Sequence, residues 1–93
     1  MLKKQRQEID RIDQEIIRLL EARLDVVSEV VGIKEQEKIE VLDSEREKSV
    51  LDKVEGAVKN KEYASTIKAL YQEMMRVSKE YQSSKLIKKS DEL

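Results

Sequence analysis

The sequence predicts an all-α protein of three helices per chain, and three observations carry that reading. The composition is helical: of 93 residues, 39% are hydrophobic and 42% charged, with two Gly, no Pro and only three aromatics, all Tyr. An apolar stripe at helical spacing runs without a slip through Ile9, Ile12, Ile16, Leu19, position 23, Val26, Val30 and Ile33, in steps of 3-4-3-4-3-4-3. Two further apolar stripes come after it, each preceded by a residue suited to starting a helix.

Helix one is expected from Leu2 to Lys38, because good helix formers fill it and only Gly32 interrupts them. At about 1.5 Å per residue such a rod is roughly 55 Å long. The remaining helices total about 40 residues and are each about half as long, too short to cover the stripe, so a second copy of the chain is expected against it. The break falls at Ile39-Glu40-Val41-Leu42. Ser44 with Glu47 three residues on forms a capping-box pattern, with Asp43 as the alternative cap, so helix two should start here and run to about Lys59. Its apolar face is Val50, Leu51, Val54, Ala57 and Val58. Asn60 is the expected cap of helix three, which carries Ile67, Leu70, Tyr71, Met74, Met75, Val77 and Tyr81 and should fray after Ser83 or Ser84. Residues 1–84 therefore read as one helical domain and residues 85–93 as a flexible C-terminal tail.

Composition also narrows the chemistry. With no His and no Cys, the usual metal ligands, thiol nucleophiles and neutral-pH imidazole bases are missing, so neither a metal nor a cofactor is expected. Any reaction here must ask little of acids and bases. Nineteen basic and twenty acidic residues alternate along the chain for a net charge of -1, leaving no basic face for nucleic acid or an anionic membrane. The first residues, Met1-Leu2-Lys3-Lys4-Gln5-Arg6, lack an apolar leader, and no stretch approaches the roughly 20 apolar residues of a membrane span. A cytosolic location is expected.

Position 23 of the first stripe is Arg23, a cation where an apolar residue belongs. Burying an ionised group without a partner costs several kcal/mol, roughly, so an anion should sit beside it, either a carboxylate of the chain or one carried by a ligand. Lys34 comes 11 residues later, three turns plus about 20°, so the two cations leave nearly one face about 16 Å apart along the axis and could bracket a small dianion. Arg6 lies 17 residues before Arg23, about 25 Å away and rotated by about 100°, and cannot reach the same anion from the same helix. A ligand bound by Arg6 would have to sit in a partner's site. Arg46 and Glu47 fall in the first turn of helix two, and Ser78 and Gln82, one turn apart, place two uncharged hydrogen-bonding groups on one side of helix three. Each residue also has a plainer reading: an internally paired Arg23, a snorkelling Lys34, caps at Asp43, Ser44 and Glu47, solvated Arg6, Ser78 and Gln82, and core-filling Met74 and Met75.

Taken in order, Arg6, Arg23, Val31-Gly32-Ile33-Lys34, Asp43-Ser44-Glu45-Arg46-Glu47 and Ser78-Lys79-Glu80-Tyr81-Gln82 resemble the all-helical (AroQ-class) chorismate mutases. No single element is specific, but the ordered set at these spacings, inside a three-helix chain free of His and Cys, is. The resemblance spans Arg6 to Gln82 and implies an intertwined homodimeric helical bundle that converts chorismate to prephenate. That reaction is an intramolecular Claisen rearrangement needing no proton transfer, nucleophile or metal, which suits the composition. By resemblance, Arg23 and the partner subunit's Arg6 would clamp the two carboxylates, with Ser78 adding a hydrogen bond and Arg46 supporting that side. Lys34 and Gln82 would donate to the ether oxygen, and Glu47 with the backbone near Asp43 would hold the ring hydroxyl. A non-catalytic dimerisation module would explain the length and charge but not why Lys34, Arg46, Ser78 and Gln82 accompany Arg23. A mutase-like enzyme acting on a related dicarboxylate such as isochorismate would share the clamp. The 93 residues encode no regulatory domain, so feedback by an aromatic amino acid is not expected.

Overall fold

A computed structural model describes residues 1–38 and 43–92, with side chains through Leu86. The chain forms helix α1 (Lys3–Glu37), helix α2 (Ser44–Ala57), a 3₁₀ turn (Lys61–Tyr63) and helix α3 (Ala64–Glu92), with no strand among the described residues. The break expected at Ile39–Leu42 lies outside them.

The helix ends are set by where unpaired backbone groups find partners. α1 closes at Lys38, which adopts a left-handed conformation (φ 57°, ψ 38°) and donates its backbone N–H to the Lys34 carbonyl. A Cβ-bearing residue held there costs about 1 kcal/mol relative to right-handed backbone, a cost offset by satisfying a helix-end carbonyl. α2 opens on Asp43, whose extended backbone lets Oδ1 accept from the Arg46 N–H at 3.0 Å. The alternative cap therefore replaces the Ser44 capping box, and Ser44 is the first helical residue. This one-residue shift moves Glu47 from the third helical position to the fourth, where its side chain is not drawn back to the cap. α2 ends two residues sooner than Lys59, as Val58 turns extended while still donating to the Val54 carbonyl at 3.2 Å. Asn60 does act as a cap, but its Oδ1 accepts from Glu62 N–H at 3.1 Å to open the 3₁₀ turn rather than α3 itself. The expected end of helix three near Ser83 or Ser84 is corrected: α3 continues helical through Glu92, and no Gly or Pro occurs in that stretch to stop it.

α3 is the element on which the others rest. Both α1 and α2 pack against it, and among the described residues the backbones of α1 and α2 do not approach each other closely. Val31 is fully buried and Met75 nearly so, with Leu51, Val54, Val58, Ile67, Tyr71 and Met74 half-buried around them. The Ser28 and Tyr81 hydroxyls are hydrogen-bonded at 2.9 Å, tying α1 to α3, and Ser28 holds the Tyr81 phenol below its ordinary pKa because the hydrogen bond favours the ionised form. Leu70 and Val77, expected on the inner face of helix three, point outward instead.

The N-terminal part of α1 is covered by none of the described residues. Every residue from Met1 to Ala22 is exposed, including Ile9, Ile12, Ile16 and Leu19 of the stripe, and the longest dimension of the protomer is 56 Å. No helix among the described residues is long and apolar enough to cross a membrane.

Because Asp43 rather than Ser44 caps α2, Asp43→Ala should lower the unfolding free energy by about 1 kcal/mol, whereas Ser44→Ala should change it by less than about 0.5 kcal/mol. Urea denaturation at one protein concentration measures both, and the reverse ranking would return the cap to Ser44.

Candidate active site

The gap between α1 and α2, floored by α3, is a cleft of about 240 Å³. Its lining includes Arg23 and Lys34 from α1, Asp43, Arg46 and Glu47 from the start of α2, and Ser78, Lys79 and Gln82 from α3. Val30, Val50 and Met75 supply its apolar surface. Seven of the eight residues singled out in the sequence thus meet in one place. The eighth, Arg6, is exposed near the far end of α1 and does not line this cleft.

Each polar side chain arrives there for a local reason. Ser78 and Gln82 are one α3 turn apart and face inward where α1 crosses, so both are buried, 7% and 8% exposed. Lys34, in the last turn of α1, donates from Nζ to Gln82 Oε1 at 3.2 Å. That bond occupies the amide's acceptor end, leaving NH₂ as the end of Gln82 able to donate to a ligand. Asp43 is used as the α2 cap, and Glu47, one turn on, pairs through Oε1 with Lys79 Nζ at 2.7 Å.

Arg23 is half-buried against the cleft, and no carboxylate of the chain pairs with it among the described residues. Of the two anions that could answer its charge, the described residues do not supply the internal one. Two other α1 arginines behave differently: Arg11 and Arg18 reach Glu8 and Glu15 on the solvent side at 3.3 and 2.9 Å. On α3, Arg76 is similarly occupied by Glu73 and Glu80, and Arg76 holds the Glu73 carboxyl below its ordinary pKa. The cleft lining carries four cations, Arg23, Lys34, Arg46 and Lys79, against the two carboxylates of Asp43 and Glu47, an excess of two positive charges.

Lys79 is the polar residue that sequence reasoning missed. Its pairing with Glu47 joins residues 32 positions apart on different helices, and neither periodicity nor capping rules register such a contact. Val30, Val50 and Met75 were legible only as core positions.

A half-enclosed, helix-lined cleft with surplus positive charge and two buried neutral donors has the chemistry to take a small, doubly negative organic molecule. The family described as chorismate mutase type II matches residues 5–83, and the chain belongs to that family. It is accordingly an isomerase that converts chorismate to prephenate. No curated protein and no solved structure matches the chain.

Removing the unpaired guanidinium should abolish function without disturbing the fold. Arg23→Ala is expected to lower kcat/KM for chorismate at least about 100-fold while circular dichroism retains the parent helicity. Near-parental turnover in a folded variant would remove Arg23 from the site.

Proposed function

We propose that the protein works as a cytosolic homodimer in phenylalanine and tyrosine biosynthesis, each cleft completed by an arginine from the other subunit. The observation that carries the site assignment is Arg23, a half-buried cation without a carboxylate partner among the described residues, set in a cleft with an excess of two positive charges. Chorismate brings two carboxylates, which answers that excess.

The rearrangement breaks an ether C–O bond as a C–C bond forms within one molecule, and no proton moves. What a protein can contribute is conformational and electrostatic. An extended, flexible substrate must be held in the compact conformer that brings the reacting carbons together, and charge building on the ether oxygen must meet preorganised donors. Arg23 holds one carboxylate through the fork geometry that suits guanidinium to carboxylate. Ser78 and Arg46 add hydrogen bonds or charge on that side. Lys34 and the Gln82 amide, already linked to each other, converge on the ether oxygen. A donor that acts only as charge develops is worth about 3–4 kcal/mol of barrier. Glu47 and the backbone at Asp43 accept from the ring hydroxyl.

The dimer answers two features of the protomer. Ile9, Ile12, Ile16 and Leu19 present 46–56% of their surface to solvent along a stretch of helix that none of the described residues covers, an arrangement that favours burial against a second copy. Arg6 stands about 25 Å along that helix from Arg23, so it can serve a carboxylate clamp only across such an interface. A dimer with crossed sites makes a specific demand. Arg6→Ala and Arg23→Ala proteins, each inactive alone, should regain about a quarter of parental activity when unfolded together in equal amounts and refolded, because half the dimers are mixed and each mixed dimer has one intact site. No recovery despite confirmed subunit mixing would exclude a shared site.

The neutral amide at position 82 sets the pH behaviour. Gln82 does not titrate, so kcat should stay flat from about pH 5 to 8, and a sharp fall between about pH 5 and 7 would count against its role. In Gln82→Glu the carboxyl can donate to the ether oxygen only when protonated. An unperturbed Glu has a pKa of about 4.3, and Lys34 beside it favours the ionised form and lowers that value, so this variant should already have lost activity once pH has risen through about 4. Steady-state pH profiles of the two proteins give the comparison.

A further inference from the structure

We infer that Lys79 is a positioning residue for substrate binding, holding the Glu47 carboxylate so that one oxygen is engaged by the ammonium and the other is presented to the ring hydroxyl. The inference rests on the reading of Glu47 as the hydroxyl acceptor. Its observation is the 2.7 Å contact from Lys79 Nζ to Glu47 Oε1, which bridges α3 and α2 at the wall of the cleft. The side chains are 32% and 28% exposed, well below the 52–67% of the helix-surface ion pairs formed by Arg11, Arg18 and Arg76, so this pair is partly sheltered from solvent screening.

The geometry gives Lys79 two tasks. Glu47 sits in the fourth position of α2, where a carboxylate has several rotamers and no tie to the Asp43 cap. A contact from the neighbouring helix selects among them and leaves Oε2 as the acceptor. The second task is electrostatic. A bare carboxylate in the lining would repel a dianionic ligand, and the adjacent ammonium offsets that charge while leaving Glu47 able to accept a hydrogen bond. Lys79 belongs to this wall by register: it directly succeeds Ser78 on α3, and Met75, one turn earlier, lines the same cleft.

A contact that orients a group bound equally in substrate and transition state should act on KM and leave kcat nearly unchanged. Lys79→Met, which keeps the stem and removes the charge, is expected to raise KM for chorismate about tenfold with kcat within about twofold, and Lys79→Arg to restore most of the loss. Glu47→Gln alone should also raise KM, and Lys79→Met should add nothing in that background. Unchanged KM in Lys79→Met beside an impaired Glu47→Gln would overturn the inference while leaving Glu47 as the hydroxyl acceptor. Additive losses would overturn it equally, since Lys79 would then act independently of Glu47, as a brace between α2 and α3 would. Parental kinetics in Glu47→Gln would instead dispose of the reading of Glu47, and the inference with it.

Discussion

The organising constraint of this chain is a guanidinium placed in a stripe of aliphatic side chains and left without a counter-ion among the described residues. Arg23 shares its register with Leu19, Val26 and Val30, and ordinary packing would put another aliphatic residue there. The protomer tolerates the charge because Arg23 is only half-buried, at the rim of a cleft rather than inside a sealed core. The other arginines of α1 that form ion pairs do so with glutamates one turn back on the solvent side. Arg23 has no such neighbour, and its attraction remains for whatever enters the cleft.

Most of the fold was legible because it rests on local rules. α1 comes from an unbroken period, and its end at Lys38 needed only the loss of that period. The details that went astray were those decided by competition between similar groups. Asp43 and Ser44 both satisfy a cap, and only the extended backbone at Asp43 selects between them. The end of α3 was misplaced because serines at 83 and 84 weaken a helix without terminating it. The site was readable as a set of residues, since helical geometry puts Arg23 with Lys34 and Ser78 with Gln82. How those pairs meet was not: the Lys34–Gln82 and Glu47–Lys79 contacts depend on how three rods cross, which spacing along any one of them does not encode.

The chemistry matches the poverty of the side-chain repertoire. A chain with neither imidazole nor thiol can still accelerate a reaction whose demands are shape and charge, because Arg, Lys, Ser and Gln meet both at any pH near neutrality. The cap at Asp43 contributes indirectly. By accepting the Arg46 N–H at the start of α2 it leaves Glu47, one turn on, for the cleft.

α1 and α2 lean on α3 from two sides, and among the described residues their backbones do not approach each other closely. The walls of the cleft are braced chiefly by their shared floor, and a dianion bound between them would act as mortar. Occupancy and tertiary cohesion then draw on the same free energy, growing with ligand concentration as mass action requires. A metabolite held between the two helices would then serve, for the length of its stay, as part of the architecture.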